Sequence, residues 1–579
     1  MKSVPSSLSL IAAASASAIL VAGCGGSSGS GGFSGFGGFG DVGSTDTNPI
    51  TPVSADAIFI NGKVVTVDNN SRVVQAFAIK DGKFLSVGST DEIKTLASAN
   101  TQVVDLKGRT VIPGLADGHF HSPGGGSGID ISQARSLADI FAKISDAAKT
   151  ATPGQILVSN SDWHEAQLKE QRTPTASELE AAAPGIPVVL VRGGHSYFLN
   201  KTALAKWNIT TSSPVPAGGA IPRDANGDLT GELVDTARNP VELPPPPPET
   251  QASIEKQQAV LNSYGLTSVR VAGTSVAAYR QLQQVRDSGR STVRYSVLFR
   301  GVSPDALASQ GIKQGEGDSL VSVWGIKMAV DGGFEGAHTT QAYAEPMGQG
   351  GTYFGLATMP QAAFNDSVIA FNNAGWRVAT HAVGDAAIDQ VLEGYEKASA
   401  AKDIRQTGWT IEHAAIMRPD QLPKLKALNL RMSVQDHLYL VAPILKNYLG
   451  VDRYSQYSPI RTYLDAGLLV AGGTDAPVIP INPFWGLYHL VSRDSISGGV
   501  AGANQATSRE EALRVLTLNN AKLTDEADIK GSIESAKLAD FVVISGDIMT
   551  IPTGEIEDLK ALETYVGGKR VYQDSSTPL

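Results

Sequence analysis

Two histidines with one residue between them close an apolar run, Val111-Ile112-Pro113-Gly114-Leu115-Ala116-Asp117-Gly118-His119-Phe120-His121. In an extended strand, side chains two residues apart leave from the same face, so both imidazoles can reach one metal ion. Alone the pair is a modest signal, because alternate histidines also occur with no ion between them.

Further along, other apolar runs end in the same kinds of side chain. Lys327 stands inside Trp324-Gly325-Ile326-Lys327-Met328-Ala329-Val330, where an unpaired ammonium is costly or loses its charge; pairing with Asp331 is the plainer alternative. His381 closes Arg377-Val378-Ala379-Thr380-His381, His413 closes Trp409-Thr410-Ile411-Glu412-His413, and Asp475 closes Leu468-Leu469-Val470-Ala471-Gly472-Gly473-Thr474-Asp475. Each singly reads as readily as a structural polar residue. Together they lie at the ends of the first, fourth, fifth, sixth and eighth candidate strands, on the face where barrel enzymes build their sites.

The elements that must position them are strand-like runs beginning near Val111, Leu266, Val293, Val323, Trp376, Trp409, Arg431 and Leu468, with Ala- and Leu-rich helical stretches between. That alternation predicts an α/β fold, a (β/α)8 TIM barrel in preference to a doubly wound sheet. The interval of about 122–264 is too long for one βα unit and predicts an insertion after the first barrel strand. It contains the runs Ile156-Leu157-Val158 and Val188-Val189-Leu190-Val191, and near its end Pro244 to Pro248, a stiff connector. Short runs punctuated by Asn61-Gly62 and Asp81-Gly82 predict hairpins near the N-terminus, and Thr564-Tyr565-Val566 before Gly567-Gly568 predicts another at the C-terminus. The expected organisation is a β-sandwich domain from 52–112 and 529–579 enclosing a barrel domain over 113–528.

The segments Pro113-Gly114-Leu115-Ala116-Asp117-Gly118-His119-Phe120-His121, His381-Ala382-Val383-Gly384-Asp385, Ile411-Glu412-His413-Ala414 and Gly473-Thr474-Asp475-Ala476-Pro477-Val478, in this order, resemble the amidohydrolase superfamily. Within it, the similarity is to the branch of N-substituted formamide deformylases and YtcJ-like hydrolases, over about Asp56 to Tyr572. The resemblance implies a divalent metal, usually zinc, as one or two ions. His119 and His121 would bind the more buried ion with Asp475, His381 and His413 the second, and a carboxylated Lys327 would bridge them. Water activated there attacks an amide-type carbonyl, while Asp475 takes its proton and returns it to the leaving nitrogen. It also implies that Trp163, in Ser161-Asp162-Trp163-His164-Glu165, and His195, in Gly193-Gly194-His195-Ser196, line the substrate pocket.

The expected activity is therefore hydrolysis of a non-peptide C–N bond in a small molecule: an N-substituted formamide, an N-acyl amine or a cyclic amide. A deaminase or lactonase on the same site is one alternative, and a non-catalytic regulatory or sensor lipoprotein is another. His338 and His437, which follow the fourth and seventh strands, read equally as pocket, surface or capping residues; His489 reads as structural.

A formal charge of -10 over 579 residues leaves no basic excess for binding nucleic acid. The chain opens with Met1-Lys2 and an apolar Ser/Ala/Leu stretch ending in Leu20-Val21-Ala22-Gly23-Cys24, and Cys24 is its only cysteine. This resembles a lipoprotein signal peptide over 1–23, with Cys24 acylated as a membrane anchor. A Gly/Ser-rich tether over 24–51 follows. Gly25, where Asp signals inner-membrane retention, favours a lipid-anchored place in the cell envelope, on the periplasmic face of the outer membrane.

Overall fold

Eight parallel strands form the central sheet of the computed structural model, which describes residues 54–245, 249–345 and 347–576. Cys24, the signal segment, the tether and part of the Pro run lie outside the described residues. The barrel strands are β1 (Leu115–Phe120), β2 (Leu266–Thr274), β3 (Arg294–Phe299), β4 (Val321–Ala329), β5 (Val378–Ala382), β6 (Thr410–His413), β7 (Arg431–Gln435) and β8 (Val470–Gly473). They pair in order from β1 to β8, with registers such as Lys327↔Ala379 and Ala382↔His413. Their runs of Val, Ile and Leu are buried on both faces, as a parallel sheet covered by helices requires.

The seam between β8 and β1 nearly closes the sheet. The Asp475 N–H donates to His119 O at 2.7 Å, and Asp117 accepts from Thr474 N at 3.0 Å and from Thr474 Oγ1 at 2.6 Å. Asn520 Nδ2 bridges the same seam, donating to Ala116 O and Gly472 O at 2.9 Å each. There is no room for a side chain here: a Cβ on Gly473 would lie 2.4 Å from His119 N. The two histidines are thereby fixed beside the aspartate that follows β8.

The run expected as one strand from Val111 is two. Thr110–Pro113 belongs to a different sheet, and β1 starts only at Leu115. Gly114 makes the break, since a Cβ there would sit 2.2 Å from Thr267 Oγ1. The other sheet has six strands in the order Lys569–Gln573, Ala561–Val566, Phe541–Ile544, Thr110–Pro113, Lys63–Val65, Val73–Val74, so both ends of the chain contribute. A four-stranded sheet of Lys83–Gly88, Ala76–Lys80, Ala57–Ile60 and Gln102–Asp105 packs against it. Between the two lie aromatic rings, with Phe59 stacked on Phe77 at 4.9 Å and Phe541 on Tyr565 at 4.3 Å.

Between β1 and β2 the chain forms a five-stranded sheet ordered Gly219–Ala220, Glu232–Asp235, Ser196–Leu199, Val188–Arg192, Leu157–Val158. The two strands expected here are present, and three more join them. The expected end of this insertion is too late. Helix Gln251–Ser263 buries Ile254 and Leu261 in the barrel core, which makes it part of the barrel.

Candidate metal centre

The side chains singled out at the strand ends converge on one cleft of about 370 Å³, walled by His119, His121, Lys327, His381, His413 and Asp475 from the barrel and by His195 from the insertion. Asp475 is its pivot. Oδ1 lies 3.1 Å from His121 Nε2 and 3.5 Å from His119 Nε2, while Oδ2 lies 3.2 Å from His437 Nε2. Burial alone would raise its pKa, but His119, His121 and His437 hold the carboxyl well below the usual range.

His119 is oriented from behind. Its Nδ1 meets Glu412 Oε2 at 2.6 Å, and the other Glu412 oxygen accepts from Arg270 Nη1 at 2.7 Å. Arg270 lies against the Trp324 ring at 4.0 Å. A carboxylate on Nδ1 leaves Nε2 free to act as a ligand. Burial, with Lys327 adding to it, pushes the His119 pKa down to about 4, so the ring is neutral. Lys327 Nζ is 3.1 Å from that Nε2, and burial lowers its pKa to about 8.

The backbone at these positions is strained. His413, Ala414 and Asp475 have φ of 72°, 43° and 59°, a region that costs a non-glycine residue about 1–3 kcal/mol and is found where surrounding structure enforces it at functional sites. Here it falls where β6 ends and just beyond the end of β8.

Among the described residues, two groups of donor atoms could hold a cation, the atoms of each within 4.8 Å of one another: His119, His121 and Asp475, and His413, His437 and Asp475. Imidazole and carboxylate donors suit zinc or a similar divalent ion. The buried His413 Nδ1 has no hydrogen-bond partner among the described residues. An orphaned donor atom of this kind fits a ligand set.

The second group differs from the expected pairing of His413 with His381. His381 directs Nε2 to Gly332 O at 3.1 Å, with Asp331 Oδ1 at 3.4 Å, so it is His437 whose donor atom groups with His413 and Asp475. His381 still lies close by, its ring 4.4 Å from that of His413. His437, left open in the sequence between pocket, surface and capping roles, stands two residues beyond β7 with its side chain buried.

His195 is in the wall, its Nδ1 2.6 Å from Asp235 Oδ1 and its ring 5.4 Å from that of His381. Burial lowers its pKa and Asp235 more than offsets this, leaving it above the usual histidine value. Trp163 is not in the wall. It is 1% exposed, packs on Phe198 and donates Nε1–H to Val191 O at 2.7 Å, so it belongs to the insertion's own core. Its neighbour His164 reaches a small adjoining chamber beside His437. Sequence reasoning assigns no role to Glu412, Arg270 or Asp117. The signal for Arg270 is the one that marks Lys327, a cation within an apolar strand.

An eight-stranded barrel with this cluster at the C-terminal ends of its strands is the architecture of a barrel hydrolase. The model of the amidohydrolase family matches residues 102–572, and the chain belongs to that family. It is 27% identical to N-substituted formamide deformylase of Arthrobacter pascens over 555 residues, 90% of this chain and 98% of the relative. It is 29% identical to protein LONG AFTER FAR-RED 3 of Arabidopsis thaliana, covering 90% of this chain and 93% of that one. Among solved structures, an uncharacterized metal-dependent hydrolase from Pyrococcus horikoshii shares the fold with a TM-score of 0.65 and 23% identity, over 86% of this chain and 99% of its own.

Proposed function

We propose that the chain is a metal-dependent amidohydrolase that cleaves a non-peptide C–N bond in a small molecule, such as an N-substituted formamide, an N-acyl amine or a cyclic amide. The observation that carries this reading is the Asp475 carboxylate, set between His121 at 3.1 Å and His437 at 3.2 Å at the barrel mouth. Similarity to the Arthrobacter formamide deformylase supports the amide class.

His119, His121 and Asp475 would hold one divalent ion, zinc by ligand type, and His413 with His437 or His381 would hold a second. Such an ion polarises a substrate carbonyl and lowers the pKa of water. The rest falls to the protein. Asp475, kept ionised, accepts a proton from the attacking water and delivers it to the leaving nitrogen. Glu412 keeps His119 in one tautomer. Lys327, as an ammonium 3.1 Å from His119, would repel a cation; carboxylated on Nζ, it becomes an oxygen donor between the two groups. His195 orients substrate from the insertion side. A lipid on Cys24 would hold the enzyme in the cell envelope, a reading supported by Leu20 to Cys24 alone.

The test is elemental analysis of the purified full chain, followed by chelation and a screen of formamides, N-acyl amines, cyclic imides and lactones. The reading requires bound divalent metal and amide turnover that chelation abolishes and metal restores. Turnover unaffected by complete metal removal, or activity confined to lactones, overturns it.

A further inference from the structure

Each aspartate in the cleft wall is already held by the protein. Asp475 is held by His121 and His437, Asp331 accepts backbone N–H groups of Val383, Gly384 and His338, and Asp235 faces His195 Nδ1 at 2.6 Å. The arginines of the same wall are not balanced in this way. Arg300 directly follows β3 and is exposed in the cleft; its backbone N–H donates to Thr274 O at 3.3 Å, but its guanidinium makes no hydrogen bond or ion pair among the described residues. Arg238 comes from the insertion, in the turn Thr236–Arg238. It donates Nε–H to Asp235 O at 3.1 Å and stacks 4.9 Å over Tyr197, which leaves its terminal nitrogens without a protein acceptor among the described residues.

Both guanidiniums line the same cleft; burial lowers the Arg300 pKa, Arg238 adds to this and Asp235 opposes it. Like charges gathered in one cleft raise the local concentration of anions and are relieved by binding one. Arg300 and Lys327 flank the same glycine, Gly273 at φ +113°, where a Cβ would lie 3.4 Å from Arg300 Cδ and 3.9 Å from Lys327 Cγ. Beyond Arg300 the space continues into a groove lined by Val302, Met359 and Phe371, so a ligand reaching Arg300 has room for an apolar group.

We propose that the substrate carries a carboxylate on the amine side of its amide, held by Arg300 and Arg238 while the scissile carbonyl faces His119, His121 and Asp475. The planar guanidinium fork matches a carboxylate with paired, charge-assisted hydrogen bonds. The substrate class is then an N-acyl amino acid or a close analogue. Hydrolysis adds one water across the C–N bond: the acyl carbon gains the hydroxyl, and the leaving nitrogen gains the proton, giving a carboxylic acid and a free amino acid. This proposal rests on the hydrolase reading and refines it.

Two measurements on the full chain separate the two ideas. The first compares kcat/KM for N-acetylphenylalanine with that for N-acetylphenethylamine, which lacks only the carboxylate. The second is calorimetric binding of 3-phenylpropionate against 3-phenylpropanol, neither of which has an amide to cleave. The carboxylated member of each pair is expected to be favoured at least about tenfold, with the ratio collapsing in Arg300→Gln and falling in Arg238→Gln. Equal binding of the two ligands, or a preference that persists in both variants, overturns the carboxylate proposal. Failure to cleave any amide while the calorimetric preference remains counts against the hydrolase reading and for the anion site.

Discussion

His119 Nδ1 and Glu412 Oε2 lie 2.6 Å apart, both side chains buried, and Glu412 in turn holds Arg270 at 2.7 Å. One carboxylate therefore sets a proposed ligand's tautomer and neutralises a guanidinium under the barrel mouth.

Glu412→Gln keeps the shape and removes the charge, and is expected to weaken metal binding by roughly 10–100-fold, as loss of an outer partner to a ligating histidine commonly does. Glu412→Ala also leaves Arg270 buried without its partner and should cost about 3–5 kcal/mol of stability. Competition against a metal chelator reads the first, and urea unfolding of the metal-free chain reads the second. Unchanged metal affinity in Glu412→Gln would show that His119 does not depend on this contact.

A second expectation concerns acid. Arg192 of the insertion pairs with Glu165, with Glu335 of the loop after β4 at 3.0 Å and with Glu232 at 3.5 Å. Burial opposes ionisation of Glu335, but Arg192 outweighs it and depresses the pKa from 4.5 to about 2, so its stabilisation is present above pH 4.5 and is lost as pH falls through about 2. Burial raises Glu232 from 4.5 to about 7, which works the other way: its stabilisation is full below pH 4.5 and is lost as pH rises through about 7. Unfolding midpoints across this range should show Glu335→Gln flattening the acid limb and Glu232→Gln flattening the limb toward neutrality. Parallel profiles for wild type and both variants would show that the cluster does not govern stability in acid.

Much of this was legible because five of the eight strand runs carry chemistry-bearing residues at or near their ends: β5 and β6 reach His381 and His413, and Asp475 follows β8 by two residues. What was not legible has physical causes. The break at Gly114 depends on the close approach of Thr267, which a run of apolar letters does not record. The position of His437, which enters through the turn after β7, was left open in the sequence, and Arg238 reaches the cleft because the insertion that also carries the expected His195 folds over it. Trp163 sits beside residues that do reach the chamber, yet its indole is turned into the insertion's core.

That placement changes what Trp163→Ala should do. Removing a buried tryptophan costs about 3–5 kcal/mol, so the variant should lose thermal stability and protease resistance in the insertion while KM changes little in whatever folds. A large KM change with undiminished stability would return Trp163 to the pocket.

The proposed membrane anchor rests on Cys24, the chain's only cysteine. Mass spectrometry of the mature N-terminus should find acyl chains on Cys24, and Cys24→Ala should shift the protein from the membrane to the soluble or uncleaved fraction. An unmodified Cys24 in wild type rules the anchor out.

Asp475 is proposed to serve both as ligand and as proton carrier, and Asp475→Asn separates the two roles. Asparagine keeps an oxygen facing His121 and His437 but cannot accept the proton. With bound metal counted and turnover of the best amide substrate measured on the same preparation, metal is predicted to persist while kcat falls by roughly 100- to 10,000-fold. Near-normal kcat with metal bound would contradict the account.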